Sequence, residues 1–330
     1  MSQTKKFSRN FLILEYKNPE PLILAMNVRY LYLFICLFTA QYTFGQSSHR
    51  AGLHTDSLSF EGLQRKYIYY IPAGIENMEK VPVVFFLHGM GASAQIGVNV
   101  LGPQYHARAE RDKAIVVYPD ATSKHWNDKL GGSYPLTDKI NDVGYLTSLI
   151  DLFVQDFKAD PKRVYFSGSS NGGMMTYRLS CDIPNKIRAI APFVSTISPQ
   201  VAEQFTSAKP IPIIITSGTA DSIIKWEGGQ VKVTRTPRLF SGDENIAYWK
   251  ARNGVKSQAK ITILPDIEPG DQSTVEVHHY KGKNDVILYK IINGGHTHPT
   301  LRENGKPLVS GKNMDYNSFE TVWDFLLSYR

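Results

Sequence analysis

The chain has 330 residues, 42% of them hydrophobic and 20% charged, with a formal net charge of +7. That length can bury one sizeable core, and the lack of any internal repeat excludes solenoids and propellers. Lys5, Lys6, Arg9, Lys17 and Arg29 against Glu15 and Glu20 put +3 of the charge before Gln46, and the rest is spread without a basic run, so a nucleic-acid partner is not expected.

The first segment reads as a leader. Basic residues precede an apolar run over 31–40, and Thr43-Phe-Gly45 places small residues three and one positions before Gln46. That is the three-part layout of a secretory signal peptide, and the run is too short to span a bilayer. Residues 1–45 are therefore expected to be a signal peptide, with Met26 as an alternative start. Residues 46–330 are expected to be one catalytic domain, secreted or periplasmic, with no stable membrane anchor once the leader is removed. Cys36 would leave with the leader, so the mature chain would keep only Cys181.

Beyond Gln46, strand and helix patterns alternate, which predicts a mostly parallel sheet with helices on both faces. Strands are predicted at 67–71, 81–87 and 114–118. Asp142 is expected to cap a helix whose apolar positions Val143, Leu146, Leu149, Ile150, Phe153, Val154 and Phe157 share one face. Asp160-Pro161 should turn the chain into a strand at 163–166, followed by Gly168-Ser-Ser-Asn-Gly172 and a helix to about Cys181. Further strands fit 187–194, 211–216, 260–264, 275–279 and 286–292, and helices fit 244–252 and 318–327. Residues 227–242 and 265–273 read as loops.

Gly168-Ser-Ser-Asn-Gly172 has the Gly-x-Ser-x-Gly spacing of a nucleophile elbow. Small residues two before and two after the serine let strand and helix backbones pass closely, so the serine oxygen stands free above the sheet. A serine nucleophile needs a base, and the base needs an orienting acid, each just beyond a strand end. Asp221 follows the 211–216 strand and His296 follows the 286–292 strand, in the required order after Ser170. His298 is the near rival for the base; Asp266, Asp271 and Asp285 are rivals for the acid. Developing negative charge on the substrate needs N–H donors, and the backbone N–H groups of Asn171 and of Met90, in Leu87-His-Gly-Met-Gly91, are the candidates. The His88 side chain is read as structural. Trp126, Tyr134 and Trp226 are candidates to line an acyl or sugar pocket. No metal or cofactor is called for.

The segments Asp142-Val-Gly-Tyr-Leu146, Arg163–Arg178, Gly218-Thr-Ala-Asp221, Trp226-Glu-Gly-Gly229 and Gly294-Gly-His-Thr-His-Pro299 together resemble the polyhydroxybutyrate depolymerase/feruloyl esterase family. The resemblance covers roughly residues 59–329 and implies an α/β-hydrolase fold and a Ser170, Asp221, His296 triad. It implies hydrolysis of carboxylic esters through an acyl-enzyme, with feruloyl or acetyl groups of plant polysaccharide as the expected substrates. Polyhydroxybutyrate oligomers, or an acyltransferase or peptidase on the same fold, are the alternatives, and a non-enzymatic carbohydrate-binding module is disfavoured by a full triad. The family usually has Trp after His-Thr, where this chain has His298, so His298 becomes a candidate for the substrate pocket. Many members pair a cysteine near position 181 with one that follows Asn-Gly; here Val255 follows Asn253-Gly254, which leaves Cys181 unpaired.

Overall fold

The computed structural model describes residues 50–130, 139–204, 209–231, 237–303 and 308–330. The expected leader and Tyr134 lie outside the described residues. In chain order the strands are β1 (Gly52–Phe60), β2 (Leu63–Ile71), β3 (Val81–Leu87), β4 (Ile115–Pro119), β5 (Ala159–Ser169), β6 (Ala189–Phe193) and β7 (Ile213–Gly218). A short pair, β8 (Gly229–Gln230) and β9 (Arg238–Leu239), precedes β10 (Lys260–Ile263), β11 (Thr274–Tyr280) and β12 (Val286–Ile292). The helices are α1 (Ala94–Asp112), α2 (Asp142–Asp156), α3 (Asn171–Asp182), α4 (Pro199–Gln204), α5 (Gly242–Arg252) and α6 (Ser318–Ser328).

All strands except β8 and β9 join one sheet in the order β1-β2-β4-β3-β5-β6-β7-β12-β11-β10. The centre, from β4 through β12, is parallel, and antiparallel pairs close both edges. Alternation along the strands builds a core on each face. Val83, Phe85 and Leu87 of β3 pack with α2, α3 and α5, whereas Val84 and Phe86 pack with α1 and α6. This is why β3 reads as an unbroken apolar run: both of its faces are covered.

Three local expectations change. The cap of α2 is Asn141, whose side chain accepts from the Gly144 N–H at 2.9 Å. Asp142 is instead buried and pairs with Arg65 at 2.6 Å, and removing either partner would strand a buried charge at about 3–5 kcal/mol. The predicted turn at Asp160-Pro161 is a bulge inside β5: while β3 advances from Val81 to Val83, β5 advances from Ala159 to Val164. The Asp160 carboxylate closes that excursion by accepting from the Lys162 N–H at 2.9 Å. Helix α1 has no counterpart among the predicted elements, because Gly97, Gly102 and Pro103 weaken its helical signal. Packing supplies the reason for the first glycine, since a Cβ on Gly97 would lie 3.3 Å from Phe86 and Tyr118.

Candidate active site

Strands β5, β7 and β12 run parallel, so their C-terminal ends open on the same edge of the sheet. Ser170 stands between the end of β5 and the start of α3, with φ 53° and ψ −118°. Its N–H is held by Phe193 O at 3.0 Å, across the end of β6. The flanking glycines are steric requirements: a Cβ on Gly168 would lie 2.4 Å from Gly172 O, and one on Gly172 would lie 2.2 Å from Leu87 O. Only a residue without a side chain lets α3 start that close to β3 and β5.

Asp221 lies three residues beyond β7, and its side chain is 2% exposed. One carboxylate oxygen accepts from the N–H groups of Ile223 and Ile224, both at 2.8 Å. The other faces His296 Nδ1 at 2.7 Å. An ionised carboxylate only accepts, so Nδ1 carries the proton and Nε2 keeps its lone pair. The turn that brings His296 there is packed against β7, since a Cβ on Gly218 would lie 2.2 Å from Gly294 O. Ile223 and Ile224 also line a small pocket together with Ser170, Met90, Asn171 and Met174, so the turn that holds Asp221 borders the serine. The rival acids are otherwise engaged or remote: Asp285 pairs with His279, Asp271 holds Ser273 and Met314, and Asp266 is exposed.

The candidate donors also sit by Ser170. Asn171 is the first residue of α3, so no helical carbonyl reaches its N–H. In the neighbouring loop the N–H groups of Gly91 and Ala92 are committed to Lys124 O and Gly89 O at 2.9 and 3.1 Å. Met90, between those committed groups and Gly89, lines the pocket. His88 braces the loop from within. Its Nε2 accepts from the Ala121 N–H at 3.1 Å, so Nδ1 is the protonated nitrogen and donates to Gly89 O at 2.8 Å. Burial holds this imidazole below its ordinary pKa and therefore neutral.

The aromatic candidates lie elsewhere. Trp126 is fully buried, and its indole N–H donates to His88 O at 2.9 Å, so it supports the loop and does not wall a pocket. Trp226 packs its ring against Gly242 at the start of α5 and under the Lys290 ammonium, 4.8 Å from the ring centre. His298 is wedged between Phe193 and Phe319, with ring centres 5.1 and 5.2 Å away. Its Nε2 is buried and has no partner among the described residues. Burial, helped by the nearby His296 and Lys312, pushes its pKa down to about 4. It is not placed to replace His296 against Asp221.

Sequence reasoning missed the polar scaffold beneath the elbow. The Asn171 side chain accepts from the Trp126 N–H at 2.8 Å and donates to Trp126 O at 3.1 Å and to Asp128 at 2.7 Å. Burial pushes the Asp128 carboxyl up to about 6, against the hydrogen bonds from Leu130 and Asn171 and the charge of Arg178. Asn127 N–H donates to Asp142 at 2.7 Å, and Arg178 of α3 donates to Asn127 O. No spacing rule links residues so far apart, and nothing local in the 126–128 segment sets it apart from a surface turn.

No protein-family model matches the chain. It is 28% identical over 240 residues to feruloyl esterase B of Piromyces equi, covering 70% of this chain and 42% of the relative. It is 22% identical over 261 residues to feruloyl esterase D of Neurospora crassa, covering 76% of this chain and 80% of that protein. A bifunctional acetylxylan esterase/xylanase of Neocallimastix patriciarum is 28% identical over 167 residues, 51% of this chain and 23% of the relative. The chain is similar in sequence to these esterases. It spans less than half the length of the Piromyces and Neocallimastix relatives. Among solved structures, the acetyl xylan esterase from Aspergillus awamori superposes with a TM-score of 0.53 at 15% identity, over 75% of this chain and 94% of that one. The fold is the α/β-hydrolase fold. Among the described residues no helix is long and apolar enough to cross a membrane.

Proposed function

We propose that the protein is an exported serine esterase that hydrolyses feruloyl or acetyl esters of plant polysaccharide. The observation that carries this reading is the 2.7 Å contact between His296 Nδ1 and Asp221, on the sheet edge where Ser170 is held by the elbow. Nε2 of His296 takes the Ser170 proton as the serine oxygen attacks the ester carbonyl. The N–H groups of Asn171 and Met90 receive the oxyanion. His296 then returns the proton to the departing alcohol, and a water molecule activated the same way frees the acid. Leu130, Met174, Ile223, Ile224 and Val231 give the pocket beside Ser170 apolar walls suited to an acyl group. The names of the relatives support the choice of ester.

The test is turnover of methyl ferulate, acetylated xylan and hydroxybutyrate oligomers, alongside labelling with a fluorophosphonate. Hydrolysis of either plant ester, with label on Ser170 and none on the Ser170→Ala variant, is expected. Label on another residue would overturn the site. Turnover of hydroxybutyrate oligomers alone would overturn the substrate class.

A further inference from the structure

The two candidate donors sit on separate pieces of chain, one on α3 and one on the loop after β3. Segment 124–128 lies between them and touches both. On one side, the Asn171 side chain reads the Trp126 backbone with two hydrogen bonds, 2.8 and 3.1 Å long, and reaches Asp128 with a third at 2.7 Å. On the other side, the Trp126 indole N–H holds His88 O at 2.9 Å, and Lys124 O holds the Gly91 N–H at 2.9 Å. Those two bonds bracket Met90. Asn171, Asp128, Trp126 and His88 are all buried.

We propose that the Asn171 side chain is a positioning group which, acting through Trp126, sets the spacing between its own backbone N–H and that of Met90. The proposal rests on the esterase reading above and adds a residue whose side chain is committed to the Trp126 backbone and Asp128. Its chemistry is that of a spacer. An amide side chain has one acceptor and two donor hydrogens, which matches the N–H and C=O of Trp126 plus the Asp128 carboxylate. A shorter or apolar residue would leave those buried groups unpaired, and the segment would shift to recover partners. The Met90 loop is tied to that segment and would shift with it. Oxyanion stabilisation depends on donors lying about 2.7–3.1 Å from where the charge develops, so a displacement of a few tenths of an ångström acts on the transition state more than on substrate binding.

The test compares Asn171→Ala, Trp126→Phe and the double variant by kcat and KM on p-nitrophenyl acetate, with thermal melting beside them. Trp126→Phe keeps an aromatic ring in the core and removes the indole N–H together with one ring of packing volume, whose cost the melting curve reports. Asn171→Ala is expected to lower kcat about 10- to 100-fold, below the loss for deleting a donor outright, with KM within about twofold. Trp126→Phe should lower kcat by about threefold to tenfold, also without a KM change. Because both act along one path, the double variant should fall little below Asn171→Ala, and not to the product of the two losses. Affinity for a boronic acid, whose serine adduct mimics the tetrahedral anion, should fall in step with kcat. Wild-type kcat in either folded single variant, a loss confined to KM, or multiplicative losses in the double variant would each overturn the proposal. Should Asn171→Ala fail to fold, Trp126→Phe decides alone by the same kcat criterion. Turnover retained by Ser170→Ala would sink the Ser170 site on which the proposal rests; an inactive Ser170→Ala beside fully active Asn171→Ala and Trp126→Phe would sink only the spacer.

Discussion

Ser170 and Val194 both have positive φ, 53° and 41°, in a region that L-residues rarely occupy. Each such residue costs about 1–3 kcal/mol, and here the two are joined through the Ser170 N–H bond to Phe193 O. Neighbouring strands hold the strained pair, since Val194 N–H donates to Thr216 O at 2.8 Å. At Asp221 the hydrogen-bond pattern allows a sharper prediction. One oxygen already serves two backbone N–H groups, so an asparagine there would turn its carbonyl toward them and its NH2 toward His296. Nδ1 would then have to accept, the proton would move to Nε2, and the base would be lost. Asp221→Asn should therefore lower kcat by about 10³- to 10⁴-fold with the fold intact. Steady-state kinetics with circular dichroism checks this, and a loss under tenfold would reassign the acid.

At the scale of elements, β6 and α6 enclose His298 in an aromatic slot. Its pKa near 4 in the folded state, set by burial, lies below the value of about 6.5 for an unfolded histidine. Between these values the unfolded chain binds the extra proton, so stability is lost as pH falls from about 6.5 to about 4. His298→Phe should shallow that acid limb, which melting temperatures taken across pH 4–7 would show; an unchanged slope would mean that His298 does not stay neutral. His106, also pushed down to about 4 by burial, titrates in the same window and leaves part of the slope in the variant. Elements with strong periodicity were legible from residues alone: α2, β3, β12 and α6 fall where the pattern put them. Helix α1 and strand β1 were not. The glycines and proline of α1 are tolerated because the core packing of Val98, Leu101, Tyr105 and Ala109 outweighs local propensity, and β1 is an edge strand with little apolar signal.

Across the whole molecule, the sheet order β5-β6-β7-β12 brings together three loops separated by up to 126 positions in the chain, from Ser170 to His296. Export is the expectation that belongs to this scale. The proposed leader would be removed before Gln46, so protein recovered outside the cytoplasm should begin near that residue and titrate one thiol, from Cys181, when unfolded. N-terminal sequencing and thiol counting test this, and exported protein that still carries residues 1–45 would contradict it. Residue order alone determined the alternating α/β pattern, the elbow around Ser170, and Asp221 and His296 as the partners to propose, because turn chemistry and strand ends are local properties. Tertiary structure alone decided that Trp126 is a buried support, that Asp142 anchors Arg65 and not a helix end, and that Asn171 reads the backbone of Trp126. Those facts depend on which distant backbone groups are buried together and must find partners, and no local sequence pattern encodes that choice.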